Sequence, residues 1–153
     1  MTIIEASQFF KRVLKETDNK REIKVYNSFI DILSNLKTRD LTEEQFLLIN
    51  NEIKTLNLKS NPENKRRFFN KKLTIFKRFL KDNFSLITEG YYTTLGISLG
   101  MSFGVAIGAS FGESTGIAIG ISMGMLIGSA IGRNKDLEAE KNNRVLKNKR
   151  SSL

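Results

Sequence analysis

The sequence predicts an all-α protein with an N-terminal cytoplasmic helical bundle and a two-helix transmembrane hairpin. Three observations predict this fold. All of the excess positive charge brackets one stretch, 91–132, which carries a single charged residue, Glu113. Ten of the eleven glycines recur at every fourth position within that stretch. The first ninety residues repeat apolar side chains at three- and four-residue spacing, which is the period of an amphipathic helix.

Three helices are predicted before the basic part of the chain. Thr2 and Glu5 have the spacing of a capping box and open a first helix. A second helix covers about 20–37, where apolar residues recur at helical spacing. Thr42 and Gln45 form a second capping box, which opens a third helix. Nothing in this part of the chain alternates like a strand.

A basic amphipathic helix is predicted directly before the uncharged stretch. Asn61 followed by Pro62 is a helix start signal, and the apolar pattern continues to about Thr88. Residues 65–90 contain eight basic and two acidic side chains. We predict that the eight cations bind lipid headgroups: Lys65, Arg66, Arg67, Lys71, Lys72, Lys77, Arg78 and Lys81.

Two other interpretations of this basic cluster stay open. Charge runs on a helix are commonly a solvated face, with no partner implied. The position beside a membrane segment favours anionic lipids instead, where each Lys or Arg contributes about 1 kcal/mol. Basic residues interleaved with Phe also permit nucleic-acid binding. No recognisable nucleic-acid module accompanies them, so this partner is disfavoured.

The uncharged stretch carries a row of glycines at spacing four. Its members are the predicted helix-packing residues: Gly96, Gly100, Gly104, Gly108, Gly112, Gly116, Gly120, Gly124, Gly128 and Gly132. On an α-helix this spacing lets a second backbone approach closely. A stacked sheet is the alternative, because the same small–large alternation suits a strand. Helix is favoured, since only helices and closed barrels satisfy the backbone in lipid.

Length and charge divide the stretch into a hairpin. One helix over 95–132 would run about 57 Å, against roughly 30 Å of hydrocarbon. It would also place Glu113 at mid-membrane, at a cost of about 2.5–3.5 kcal/mol. A turn near 112–116 leaves two helices, near 93–111 and 116–132. Both basic flanks then lie on one side, which predicts a bacterial inner-membrane protein with both termini cytoplasmic.

Four segments follow from these elements. They are a three-helix region over 1–60, the basic juxtamembrane helix over 61–90, the hairpin over 91–132, and a basic cytoplasmic tail over 133–153. The first residues lack the charged and apolar pattern of a signal peptide, so the hairpin is expected to direct insertion.

The stretches LGISLGMSFGVAIG (95–108) and GIAIGISMGMLIG (116–128), with the basic tail that follows, resemble bacterial glycine-zipper membrane proteins. The resemblance covers residues 91–150. It implies membrane helices that pack through glycine, and it implies no particular activity. A second row of small residues, midway between the glycines, favours a homo-oligomer or packing with another membrane protein. A plain anchor, whose glycines pack only its own two helices, is the simpler alternative.

No catalytic site is predicted. The chain has no Cys and no His, which excludes thiol nucleophiles, zinc ribbons and imidazole chemistry. It also lacks the spacings of a nucleophile elbow, a P-loop or paired carboxylates. We therefore expect no enzyme, no cofactor and no metal. The leading hypothesis is a membrane scaffold or anchor. The alternatives are a pore-forming protein, holin-like or a defence effector, and a membrane-tethered nucleic-acid binder.

Overall fold

The computed structural model describes residues 1–111 and 114–147, which form six helices and one short two-stranded ladder joined by turns and loops. The elements are α1 (Ile3–Lys15), α2 (Lys20–Lys37), α3 (Glu43–Thr55), α4 (Lys65–Phe84), β1 (Ile87–Thr88), α5 (Tyr91–Ala109), α6 (Ser114–Lys141) and β2 (Val145–Leu146). The chain divides into two compact units. The first unit is Met1–Ile87 with the segment from Leu146, and the second is Thr88–Val145.

Helices α1 to α4 share one hydrophobic core in the first unit. Phe10 of α1 stacks on Phe29 of α2 with ring centroids 4.2 Å apart. Phe69 of α4 meets Phe10 edge-on at 5.6 Å. From α3, Asn50 is buried and accepts a hydrogen bond from the backbone N–H of Ile3 at 2.9 Å. The basic helix α4 is therefore part of this core, through its face that carries Phe69.

Both predicted capping boxes are confirmed. Thr2 accepts a hydrogen bond from the backbone of Glu5, whose carboxylate accepts one from the backbone of Thr2. Thr42 and Gln45 exchange the same pair of bonds at the start of α3. Each box satisfies two backbone N–H groups that the helix leaves without an internal partner.

The prediction that Asn61 and Pro62 start the fourth helix is wrong by three residues. The helix begins at Lys65, and its N-cap is Asn64, whose side chain accepts the backbone N–H of Arg67 at 2.9 Å. Asn64 lies directly before the helix and caps it in place of the Asn61–Pro62 pair, because the backbone N–H groups that follow Asn64 are available to its side chain.

The same helix ends four residues earlier than predicted, at Phe84. Ser85 adopts a left-handed conformation with φ of 54°. The backbone N–H of Leu86 then bonds to the carbonyl of Leu80 at 3.2 Å, which closes the helix end as in a Schellman motif. Leu86 is buried in the core. Residues 87–88 pair with 145–146 as a ladder, which was not predicted because two residues are too few to show alternation.

The second unit contains two apolar helices near the predicted positions. Helix α5 begins at Tyr91, and α6 continues to Lys141, beyond the predicted end at 132. Residues 133–141 continue the helix because they are mostly good helix formers, among them Leu, Ala, Glu and Lys. The predicted turn includes Gly112 and Glu113, which lie outside the described residues.

The segment after the hairpin returns to the first unit. Leu146 is 4% exposed within the core of α1 to α4. The side-chain amide of Asn35, on α2, makes two hydrogen bonds to the backbone of Lys147. It donates to the carbonyl at 2.6 Å and accepts from the N–H at 3.1 Å. The first unit is therefore completed by residues from both sides of the hairpin.

Candidate functional site: the glycine-packed hairpin and the basic helix

Helices α5 and α6 are long and apolar enough to cross a membrane. In their most apolar windows only 11% of α5 and 6% of α6 is buried. A core helix of a water-soluble protein would be mostly buried, so these helices do not have that role in the second unit. Their exposed surface is the first feature of the candidate site.

The glycine row forms the contact between α5 and α6. Its members face one another in four pairs: Gly96 with Gly128, Gly100 with Gly124, Gly104 with Gly120, and Gly108 with Gly116. Residue numbers rise along one helix and fall along the other, so the two helices are antiparallel. Gly132 faces the backbone of Tyr92 and Thr93, while Gly112 lies outside the described residues.

Glycine is the only residue that fits these positions. A Cβ added at Gly116 would lie 2.8 Å from the carbonyl oxygen of Gly108, and Cβ atoms at the other paired positions would lie closer still to backbone. Because the obstacle is the facing backbone, no side-chain movement relieves it. The close approach brings the backbones into dense van der Waals contact, which is the main attraction between helices in lipid.

The second row of small residues runs along both helices. On α6 the described members Ala118, Ser122 and Ala130 are exposed. On α5 the members are Ser98, Ser102, Ala106 and Ser110, which lie on the outer side away from α6 and are all exposed. We call the α5 part of this row the small face. The three serine hydroxyls donate to the carbonyls four residues earlier, at distances of 2.9 to 3.2 Å. Since these hydroxyls bond to their own helix, the small face exposes no side-chain donor that needs water.

Large apolar side chains beside the glycines form a groove of about 830 Å³ along the hairpin. One wall is Leu99, Phe103, Ile107 and Phe111 of α5. The other wall is Ile119, Met123, Ile127 and Ile131 of α6. The glycines form the floor, and among the lining residues that the structure describes Thr115 has the one polar side chain.

The opposite side of the hairpin is less exposed than the groove side, and we call it the closed side. Met123 of the groove wall is 59% exposed, whereas Met125, two residues along the same helix, is 37% exposed. On α5 the same comparison gives 67% for Phe103 and 39% for Met101. The side chains on the closed side therefore cover the hairpin, and those on the groove side stand away from it.

A carboxylate from α6 caps the start of α5. Asp136 accepts hydrogen bonds from the backbone N–H groups of Tyr92 and Thr93, both at 2.9 Å, and from the Thr93 hydroxyl at 2.7 Å. The N-cap residue of α5, Gly90, has no side chain to do this. A negative charge at a helix N-terminus is also favoured by the helix dipole. Asp136 therefore joins the two helices at the end of the hairpin where the chain enters and leaves.

The basic cluster on α4 divides into two sets. Lys65, Arg66, Arg67, Lys71 and Arg78 are exposed, and Lys72, Lys77 and Lys81 are half-buried. Arg67, Lys71 and Arg78 share the face opposite the buried Phe69 and Leu80, since their spacing of four and seven residues returns to one side of a helix. We call these three residues the basic face.

The half-buried cations have neighbours of their own. Lys72 lies over the ring of Phe68, 5.3 Å from its centroid, and Lys81 pairs with Asp82 at 3.4 Å. Burial of Lys77 lowers the pKa of its ammonium group, because an apolar environment disfavours the charged form. These three lysines are held against the first unit, so the basic face contains the cations with the freest access to a partner.

No family model, curated protein or solved structure matches this chain. Its site must therefore be interpreted from its own residues. Among residues 1–111 and 114–147, no group of three or more metal-binding side chains occurs.

Sequence reasoning missed three residues that the structure brings into contact with distant backbone. Asp136 reaches Tyr92 across 44 positions, Asn50 reaches Ile3 across 47, and Asn35 reaches Lys147 across 112. For Asp136, an acidic residue one helical turn beyond the last glycine was an available signal, because antiparallel helices place it beside the start of α5. For Asn35 the sequence contains no comparable signal.

Proposed function

We propose that this protein is an integral membrane protein whose hairpin spans the bilayer and associates with further membrane helices, in the first instance its own copies. It would serve as a scaffold or anchor for a membrane assembly. One observation carries the proposal. The glycines of α5 pack against the glycines of α6 inside the hairpin, while the small face on the outer side of α5 remains exposed.

The exposure of large apolar side chains supports a bilayer environment. Phe111 is 73% exposed, Leu126 is 70% and Phe103 is 67%. In water, leaving a large apolar side chain exposed forfeits about 1.5–3 kcal/mol relative to burying it. In hydrocarbon this penalty disappears, and the helical backbone satisfies its own hydrogen bonds.

The ends of the hairpin suit the membrane–water interface. Tyr91 and Tyr92 begin α5, and aromatic residues of this kind are enriched at headgroup level. Arg133 and Lys135 follow the last glycine of α6, close in sequence to Asp136, whose partners are at the start of α5. Cations at this one end favour a cytoplasmic location for it, and so a bacterial inner-membrane protein with both termini inside.

The cations at the start of α4 support an anionic lipid partner. Lys65, Arg66 and Arg67 occupy the first turn of α4, which contains no acidic residue. Cations at this helix end oppose the helix dipole and destabilise the helix in isolation. Anionic headgroups would offset that cost, since each cation near such a surface contributes about 1 kcal/mol.

Reconstitution of the full chain into liposomes tests the proposal. We expect the protein to resist alkaline carbonate extraction and to crosslink into species larger than a monomer as the protein-to-lipid ratio rises. Entrapped dye should be retained. Extraction by carbonate would contradict a membrane-spanning hairpin, and a monomer at all ratios would contradict self-association. Release of dye by the oligomer would replace the scaffold with the pore-forming alternative.

A further inference from the structure

We propose that the outer side of α3 contacts the surface of the bilayer that the hairpin spans. The contact is made by three consecutive apolar residues, Phe46, Leu47 and Leu48, which we call the α3 patch. The inference rests on the proposed function, because it requires the hairpin to be in a bilayer. It adds a second membrane contact, formed by the first unit, whose chemistry differs from that of the cations on α4.

One turn of α3 is apolar on every side. Successive helix positions are about 100° apart, so the four residues 46–49 surround the helix. Ile49 is fully buried in the core, whereas Phe46 is 39% exposed, Leu47 61% and Leu48 52%. A helix at the surface of a water-soluble domain has its apolar residues on one side only. Three consecutive exposed apolar residues are therefore unfavourable in water unless they bind something.

This concentration of apolar residues is confined to α3. Among the described residues of the first unit, the other exposed large apolar side chains are Ile4 and Ile75. Each of these is isolated in the sequence, and single exposed apolar residues are normal on protein surfaces. In the described part of the first unit, consecutive large apolar residues are therefore exposed only at the α3 patch.

The α3 patch lies near the end of the first unit where the chain leaves for the hairpin. Asn35, in the last turn of α2, bonds to the backbone of Lys147. Residues 87–88 pair with 145–146, so both connections to the hairpin leave the first unit at one place. Only residues 38–42 separate the end of α2 from the start of α3, which brings the α3 patch to the same end.

The connection to the hairpin makes a small apolar contact sufficient. Once the hairpin is inserted, contact of the α3 patch with lipid is an intramolecular step with a high effective concentration. Such a step needs less buried surface than association of two free molecules, because most of the translational entropy has already been lost. A separate protein partner would have to lose that entropy in binding the same three side chains. The bilayer is therefore the favoured partner of the α3 patch.

The charges beside the α3 patch indicate a contact that does not depend on anionic headgroups. Glu43 and Glu44 directly precede the patch and are exposed. They oppose an anionic surface, whereas the cations of α4 favour one. An amphipathic segment can bury apolar side chains at the boundary of headgroups and acyl chains while its charged side chains stay in water. We therefore expect the α3 patch to contact neutral lipid at least as well as anionic lipid.

A fluorescent reporter on the full chain in liposomes tests this contact. The native chain has no cysteine, so Asn51→Cys provides a single attachment site, the α3 reporter. Asn51 is exposed and lies one turn after Leu47, so the α3 patch itself is unchanged. Asp18→Cys, at an exposed position in the connection between α1 and α2, carries the loop reporter as a reference. Nitroxide groups near the top of the lipid acyl chains quench a reporter only when it contacts the bilayer.

We expect the lipid nitroxides to quench the α3 reporter and not the loop reporter. This quenching should occur in phosphatidylcholine liposomes as well as in anionic ones, with little effect of salt. The patch variant, Leu47→Gln with Leu48→Gln, should lose most of the quenching. Ile75→Gln is the matched control, because it makes the same kind of change at an exposed residue of α4, and it should keep the quenching.

Three outcomes would overturn the inference. The first is equal quenching of the two reporters, or equal quenching in the patch variant and the wild type. The second is quenching on anionic liposomes alone, which would assign the contact to the cations of α4. The third is protection of the α3 reporter from both the lipid nitroxides and an aqueous quencher, which would indicate that a second copy covers the patch.

Carbonate extraction distinguishes these outcomes from failure of the proposed function. Protein that is extracted by carbonate would contradict the membrane-spanning hairpin. Protein that resists extraction while its α3 reporter is unquenched would contradict the α3 contact alone.

Discussion

At the scale of single residues, Asp136 bonds to backbone that is distant in the sequence, and Tyr26 bonds to a carboxylate one turn away on its own helix. Asp136 accepts three hydrogen bonds at the start of α5. Tyr26, buried among the aromatic rings of the first unit, has its hydroxyl 3.5 Å from the Glu22 carboxylate. Each therefore makes a separate, measurable contribution to stability.

Asp136→Asn should loosen the start of α5. The amide keeps the size of the carboxylate but loses the charge and one of the two acceptor oxygens, and a charge at a helix N-terminus contributes about 0.3–1 kcal/mol. We expect faster hydrogen exchange at the backbone amides of Tyr92 and Thr93, measured in detergent micelles. Glu138→Gln, an exposed change on the same helix, is the control. Unchanged exchange at both amides would show that the cap does not protect them.

Tyr26 should make stability fall at alkaline pH. Burial, followed by the charge of Glu22 and its hydrogen bond, raises the pKa of the Tyr26 hydroxyl from 10.0 to about 12. Below pH 10 neither state has lost this proton. Between pH 10 and 12 the unfolded chain releases it and the folded protein keeps it, so the free energy of unfolding declines.

Comparison with Tyr26→Phe isolates this effect from the lysines that titrate in the same range. Denaturant unfolding across pH 9 to 12 should show a smaller decline in the variant. Equal declines in the two proteins would mean that Tyr26 ionises normally in the folded state.

At the scale of elements, the sequence predicts most where one short segment determines the result. The Thr2 and Thr42 boxes were predicted correctly, because a capping box is complete within four residues. The start of α4 was predicted three residues too early, because Asn61 and Asn64 are both good caps and it is Asn64 whose side chain accepts the backbone N–H of Arg67. Which side of α5 faces α6 was also open, since glycine and serine rows both offer small residues.

Gly104→Leu should disrupt the hairpin without preventing insertion. The new side chain would meet the backbone of Gly120, and it raises the apolar character of the segment. We expect carbonate resistance to persist, while a pair of cysteines introduced across α5 and α6 crosslinks much less efficiently. Val105→Leu, at an exposed neighbouring position, is the control. Equal crosslinking in both variants would show that the glycine row does not form the contact between α5 and α6.

Replacing Arg67, Lys71 and Arg78 by Gln should weaken the interaction of α4 with anionic headgroups. At about 1 kcal/mol for each cation, three changes predict a loss of about two orders of magnitude in affinity at low salt. The difference should shrink at high salt, where charges are screened. The control replaces three exposed lysines away from α4: Lys20, Lys54 and Lys59.

Vesicle flotation measures this effect best in a protein that lacks the hairpin. Equal flotation of both triple variants on anionic vesicles would indicate a solvated face. Tighter binding to single-stranded DNA than to vesicles would favour the nucleic-acid alternative.

At the scale of the whole molecule, the first unit is interrupted by the hairpin. Residues on either side of 88–145 contribute to one core, and Leu146 supplies the last buried side chain. The sequence did not predict this arrangement, because a basic segment after a membrane helix is typical of a solvated tail. Val145 and Leu146 are the only apolar residues of 142–147, which was too weak a signal to place them in the core.

The first unit should therefore fold without the hairpin only when both of its parts are present. A chain in which a short Gly–Ser linker replaces 89–144 should unfold cooperatively in denaturant. Leu146→Ala in that chain should lower the free energy of unfolding by about 2–5 kcal/mol, as for other buried leucines. Residues 1–87 alone should be less stable by at least that amount. Equal stability of the three proteins would show that Leu146 does not contribute to the hydrophobic core of the first unit.

The interruption also orders events during synthesis on the ribosome. Residues 1–87 emerge first, yet they lack Leu146 until both apolar helices have left the ribosome. In the membrane protein that we propose, delivery of the hairpin to the insertion machinery would therefore precede completion of the first core. A chain that failed to insert would expose two apolar helices while the core of its first unit was incomplete. Quality-control proteases can recognise such a state. Under the proposed function, the order of the residues would in this way link membrane insertion of the hairpin to completion of the first unit.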